Sequence, residues 1–443
     1  MHNDFTLAVT GDAIINRRIS VHTEERFLSL IRIIRDVDVG YTHLEGLIHD
    51  YEGPELYPAA LSGWTAMRAP HFVADELKWA GFDIVSHASN HTLDYSYGGM
   101  FSTWKALDKA DLPYAGTGRN LGEARAPAYL DTTKGRVALI SMCSTFHGWA
   151  RAGETRRDVK GRPGLNPLRF YYTADADTLE TMKQMSIKLG WQVTQIGTEW
   201  FFNLPGLRMA AYRFVVGNQP GITTVVDEAD AEGNLISIRE ARRQADWVLV
   251  HIHHHEFEPG KDNSVPPNFV ATFARSCLDA GADVVIGQGS HAQPRGIELY
   301  RNKPIFYDPG DFLAMSDTVT RLPADFYLMP GYYSAEVRSW EATPADGFDA
   351  RHTLPQSLNP PSDPRAGRLV GSVIAVCSFG EDKLLNGLKL YPFTLVRTPR
   401  SRCGIPMRAD DVTAKKLIEY LTELSAPFDT KIELEDGVGL VKL

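Results

Sequence analysis

Short apolar runs alternate with amphipathic stretches along most of the chain. Phe5–Val9 predicts a buried strand that ends in Thr10-Gly11-Asp12. Glu24–Arg35 then sets Phe27, Leu28, Leu30, Ile31 and Ile34 on one side at helical spacing. Val37–Leu44 predicts a second strand, ending at Glu45, and Pro70–Ala80 a helix stopped by Gly81. Asp83–Ser86 predicts a third strand, with Asn90 and His91 just beyond it, followed by a helix over Gly98–Ala110 and a strand over Val137–Met142. The rhythm resumes with a strand at Asp246–His253, a helix at Pro267–Ala280, and strands at Ala282–Gly287 and Pro304–Asp308. Strands alternating with helices in this way predict an α/β fold, much of its sheet parallel and covered by helices on both faces.

Two segments break the rhythm and divide the chain. Residues 1–145 form the first half of a core, 146–243 an insertion that shapes a substrate pocket, 244–352 the second half, and 353–443 a small C-terminal β element that closes the fold. The proline-rich stretch Leu354–Gly367 reads as the linker into that last part. In the insertion, Arg151, Arg156, Arg157, Arg162 and Arg169 are candidates to clamp a substrate carboxylate.

Composition narrows the class of protein. The charges sum to 46 − 55 = −9, which gives no basic field to attract nucleic acid or an anionic membrane. Cys143, Cys277, Cys377 and Cys403 form no CxxC pair, as suits a reducing compartment, and no stretch approaches the ~20 apolar residues of a membrane span. The expectation is a cytoplasmic protein without nucleic-acid or membrane partners.

The candidate chemistry sits just beyond the strands. Ligands of parallel α/β sheets bind at the carboxyl ends of strands. There the chain places Asp12, Glu45, Asn90 with His91, the run His251/His253/His255, His291, and Asp308 or Asp311. Carboxylate, amide and imidazole groups gathered in this way suit Mn, Zn, Fe or a similar divalent ion, and no thiolate joins them. The period of two in Trp247–His255 puts Leu249, His251, His253 and His255 on one face. His253 at the strand end is the expected ligand and His255 either a support behind the ligands or a proton donor, while His251 and His254 are expected in structural roles.

The segments TGDAIINRR (Thr10–Arg18), THLEG (Thr42–Gly46), GFDIVSHASNHTLDYSYGG (Gly81–Gly99) and GADVVIGQGSHAQPRGIELYRNKPIFYDPGDF (Gly281–Phe312) resemble the CapA-type proteins. These are accessory factors of poly-γ-glutamate synthesis with a calcineurin-like metallophosphoesterase fold. The resemblance implies an α/β sandwich with helices on both sides. It also implies that Asp12 is the aspartate of a GD motif, Glu45 the bridging carboxylate, Asn90 and His91 an Asn-His pair, and His253 and His291 the later histidine ligands. Two positions depart from phosphoesterases of this fold: Ile14 and Gly289 stand where each has a histidine. That leaves Asp12, Glu45 and His291 for one ion and Glu45, Asn90 and His253 for another, so one or two ions (Mn, Zn, Fe or Ca) are expected.

In overall layout the chain also resembles a soluble relative of this family, the lasso-peptide epimerase. The expected activity is therefore metal-assisted acid/base chemistry on a peptide, amide, carboxylate or γ-glutamyl-like substrate, hydrolytic in the first instance. The alternatives are Cα epimerisation and a non-catalytic accessory role in capsule synthesis. His91, His255, Asp94 and Glu256 are the candidate proton-transfer groups.

Overall fold

A computed structural model describes residues 4–53, 55–59, 65–203, 211–291, 294–328, 340–353 and 371–443. Leu354–Gly367 lies outside the described residues. Two sheets face one another. The first runs Ile432–Glu435, Val438–Val441, Leu385–Leu395, Gly371–Phe379, Phe5–Ile14, Val39–Leu44, Ile84–Ser86, Tyr114–Ala115, with Asp311–Ala314 also beside the first strand. The second runs Ile297–Tyr300, Lys303–Phe306, Val284–Gln288, Trp247–His253, Gly135–Cys143, Ala128–Thr132. Within each sheet the strands that carry the candidate ligands are parallel to one another.

Side-chain alternation sorts the interior into three layers. Phe5, Leu7, Val9, Val39, Tyr41 and Ile84 of one sheet pack against Val137, Leu139, Trp247, Leu249, Val284 and Ile286 of the other. On the outer face of the first sheet, the helices Glu25–Arg35 and Val73–Ala80 bury Phe27, Leu30, Ile34 and Leu77 against Ala8, Leu44 and Val85. On the outer face of the second, Glu228–Gln244 and Asn268–Asp279 bury Ile238, Phe269, Phe273 and Cys277 against Ile140, Val248, Val250 and Ile252. The order helix, sheet, sheet, helix is the calcineurin-like sandwich.

The strands Phe170–Ala174, Gln192–Ile196, Glu199–Asn203, Ala211–Val216 and Ile222–Val226 build a separate five-stranded sheet, against which the helix Ala176–Lys188 packs Leu179 in a small core with Ala174, Phe202 and Phe214. At the other end of the chain, Gly371–Phe379 pairs antiparallel with the first strand, from Phe5↔Phe379 to Val9↔Ala375. The C-terminal strands therefore extend the first sheet directly.

Candidate metal centre

The first strand does not end at Val9. It continues to Ile14, so Asp12 stands in strand and not in a turn. The cause is a change of partner: beyond Val9 the Asp311–Ala314 strand lies parallel alongside, and the Asp12 amide donates to the Gly310 carbonyl at 3.0 Å. Gly11 permits that approach, since a Cβ there would fall 1.5 Å from the Gly310 oxygen.

The other groups arrive from the ends of neighbouring strands. Glu45 follows Val39–Leu44 and is buried with Asp12. His91 sits in a turn after Ile84–Ser86, where its amide donates to Ser89 Oγ at 3.1 Å and the Ser89 amide donates to Thr92 Oγ1 at 3.0 Å. His253 closes its strand, with Nε2 3.0 Å from Asn90 Oδ1 and 3.0 Å from His255 Nε2. His291 adopts φ 51°, in the left-handed region, and Asp311 braces its Nδ1 at 3.1 Å. Glu45 Oε1 is the common focus: it lies 3.5 Å from His291 Nε2, 3.7 Å from His91 Nε2 and 3.9 Å from His253 Nε2. Asp12 Oδ2 is 3.7 Å from His291 Nδ1.

Burial pushes the Asp12 carboxyl well above its usual range, and Glu45, Asp311 and Asp308 push it further. Burial also raises Glu45, against the pull of His291 and His91. For His291, burial opposes the charged ring, but Glu45, Asp311 and Asp308 outweigh it and hold the ring up to about 9. Burial drives His253 and His255 well down, with neighbouring imidazoles adding to the effect, so both rings are neutral donors. Both oxygens of Asp12, both oxygens of Glu45 and Nδ1 of His253 are buried without a hydrogen-bond partner among the described residues. Crowded carboxylates with idle lone pairs beside neutral imidazoles are the donor set of a divalent cation, so the residues fit one. Glu45, His255 and His291 each offer a donor atom within 4.8 Å of the others, as do Asp12, His291 and Asp311.

Asp12, Glu45, Asn90, His91, His253 and His291 thus meet at one place. Asp94 stands behind His91, its Oδ2 2.6 Å from His91 Nδ1 and held by the Met67 amide at 2.6 Å. His255 faces the ligands themselves. The Glu256 carboxylate accepts from Ser144 Oγ at 2.7 Å and from Thr145 Oγ1 at 2.9 Å. His254 points elsewhere, its Nδ1 2.9 Å from Arg295. Among the insertion arginines, Arg169 is bound to Asp230 at 2.6 Å and Arg156 to Asp158 at 3.1 Å.

The departure at Gly289 has a backbone cause. Its φ is 120°, and a Cβ there would lie 2.7 Å from the His254 carbonyl, so the turn excludes an imidazole at that position. Asp311, a strand-end candidate outside the two expected ligand sets, joins the donors beside Asp12 and His291. The GD pair at Gly310-Asp311 repeats Gly11-Asp12, which was the signal available in the sequence.

The fold is of the calcineurin-like type, and the residues gathered at its strand ends form a candidate metal centre. Residues 6–316 match the model of the bacterial capsule synthesis protein family PGA_cap, and the chain belongs to that family. It is 31% identical over 451 residues to the uncharacterized proteins y4sH and y4uA of Sinorhizobium fredii (strain NBRC 101917 / NGR234), covering 99% of this chain and 93% of each of theirs. It is 24% identical to the capsule biosynthesis protein CapA of Bacillus anthracis over 70% of this chain and 59% of that one. Among solved structures it is similar to a 5'-nucleotidase precursor from Thermus thermophilus, at 11% identity and a TM-score of 0.33, covering 95% of this chain and 58% of that one; a likeness so distant carries no argument. No helix among the described residues is long and apolar enough to cross a membrane.

Proposed function

We propose that the protein is a metal-dependent hydrolase acting on an amide, peptide or γ-glutamyl-like bond. The observation that carries this reading is the pairing of the Glu45-centred donor set with a carboxylate-backed imidazole, His91 on Asp94, directed at Glu45. One or two divalent ions held among Asp12, Glu45, Asn90, His253, His255, His291 and Asp311 would polarise a substrate carbonyl and acidify a water. The chain's own residues do the rest. Asp94 fixes the His91 tautomer with the proton on Nδ1. Nε2 then relays a proton from the attacking water to the departing amine. Burial keeps bulk water from competing for these groups.

A second reading, Cα epimerisation, draws on a specific symmetry. His91 on Asp94 and His291 on Asp311 are both carboxylate-backed rings, and both turn Nε2 toward the same Glu45 oxygen. One ring would take the Cα proton and the other return one to the opposite face.

Elemental mass spectrometry of the wild type beside Asp12→Ala and His291→Ala tests the metal premise: the hydrolase reading expects fewer divalent ions per chain in both variants, the epimerase reading in Asp12→Ala. Peptide turnover in deuterated solvent then separates the readings. Hydrolysis yields new termini and no Cα deuterium, whereas epimerisation yields labelled, uncleaved peptide. No stoichiometric metal after reconstitution with Mn, Zn, Fe and Ca overturns both enzymatic readings and leaves the accessory role.

A further inference from the structure

One layer below the carboxylates, between the two sheets, lies a second group of imidazoles. His43 is in the strand Val39–Leu44, and His251 and His253 are in Trp247–His253; all three are fully buried. The ring centroid of His43 lies 4.4 Å from that of His251 and 5.0 Å from that of His253. Each ring has one nitrogen anchored. His43 Nδ1 is 3.1 Å from the Ser86 carbonyl and 2.8 Å from Ser86 Oγ, His251 Nδ1 is 2.9 Å from Ser141 Oγ, and His253 Nε2 is 3.0 Å from Asn90 Oδ1. The remaining nitrogens, His43 Nε2, His251 Nε2 and His253 Nδ1, have no hydrogen-bond partner among the described residues.

Chemistry fixes what two of these nitrogens are. A ring that faces a carbonyl or amide oxygen through one nitrogen donates from it, so the other nitrogen carries a lone pair. His43 Nε2 and His253 Nδ1 are therefore both acceptors, in a dry space where nothing donates to them. The three residues offer donor atoms within 4.8 Å of one another. Ligands 2.0–2.1 Å from a shared ion stand roughly 3.4 Å apart, a closure within reach of side-chain torsions. An anchored second nitrogen is the usual support of a metal-bound histidine. Gln288 flanks His251; its amide nitrogen is committed to the Thr10 carbonyl at 2.9 Å, while its Oε1 is unpartnered.

We propose that His43, His251 and His253 form a second, all-nitrogen metal site for a borderline ion of the zinc class, beneath the carboxylate site and joined to it through His253, which ligates the lower ion through Nδ1 and, when both layers are filled, releases its Nε2 proton to solvent and bridges them as an imidazolate. Three neutral imidazoles favour zinc, copper or nickel over calcium or manganese, so the two layers differ in the ions they select. The site stands whether or not the protein is a hydrolase.

The test is zinc stoichiometry in full-length Asp12→Ala/His291→Ala protein, equilibrated with buffered free zinc. The expected result is one retained equivalent, lost when His43→Gln or His251→Gln is added and not replaced by calcium. X-ray absorption at the zinc edge of the Asp12→Ala/His291→Ala protein keeps the test independent of whether those two core variants fold, and an imidazole-dominated shell is expected. No retained equivalent, retention indifferent to both His43→Gln and His251→Gln in folded protein, or an oxygen-dominated shell overturns the proposal.

Discussion

The inner face of one strand carries two different regions of the sandwich. At its start, Trp247 stacks on Phe5 with ring centroids 3.8 Å apart, and Leu249 follows, fully buried among aliphatic groups. Two and four residues further on, the same face presents His251 and His253, equally buried and in part unpartnered. Burial is the same at both ends, but its meaning is not. At the apolar end, removing surface from water stabilises the fold. At the histidine end, the same removal leaves lone pairs unsatisfied and lifts carboxyl pKa values, a cost recovered when a cation binds.

That contrast can be broken from either end. Glu45→Ala removes the oxygen on which three imidazoles converge. It should lower metal-dependent turnover by roughly 10³-fold or more, about 4 kcal/mol, while the metal-free fold survives chemical denaturation unchanged or slightly strengthened. Trp247→Ala should do the reverse, costing about 3–5 kcal/mol in denaturant unfolding with metal stoichiometry intact. Loss of metal in Trp247→Ala would show that the two ends are not separable. Asp94→Asn leaves the ligands in place but unfixes the His91 tautomer, so kcat should fall about 10²-fold, near 2.7 kcal/mol, with bound metal unchanged by mass spectrometry.

The smallest effect sharpens the electrostatic half of the comparison. His291 is held up to about 9, above the ordinary 6.5, so in the metal-free protein its proton contributes stability that is complete below about 6.5 and lost as pH rises through about 9. A cation competes with that proton. Apparent metal affinity should therefore rise by up to about tenfold per pH unit, about 1.4 kcal/mol, up to about pH 9, then level off. Isothermal titration in buffers of different ionisation enthalpy reads the released proton directly.

Strand ends were legible because two signals coincide there, a short apolar run and a polar residue just beyond it. Asn90, His253 and His291 are candidates read in this way, and the period of two matches the packing, with Leu249 against the facing sheet and His251 and His253 against His43 of that sheet. Asp12 was placed by its motif but not by its conformation, because the partner that keeps it in strand comes from Asp311–Ala314, about three hundred residues later. His43 gave no signal. A single histidine inside a buried strand becomes informative only once sheet packing brings it against His251. The strands within residues 170–226 were equally hidden, since among the described residues they bring only Ala174, Phe202 and Phe214 to their hydrophobic core and their partners are set by pairing across loops.

The partner exchange along the first strand also governs the order in which the molecule can be made. Phe5–Val9 is synthesised long before its partners, since one edge of it is completed by Ala375–Phe379 and Asp12 is locked by Gly310. At ribosomal rates of about 5–20 residues per second, those partners follow roughly 20–70 s later. A nascent chain cannot close the metal-binding rim until Asp311–Ala314 has been translated, so a product stalled before that strand carries Asp12, Glu45 and His91 without the means to assemble them.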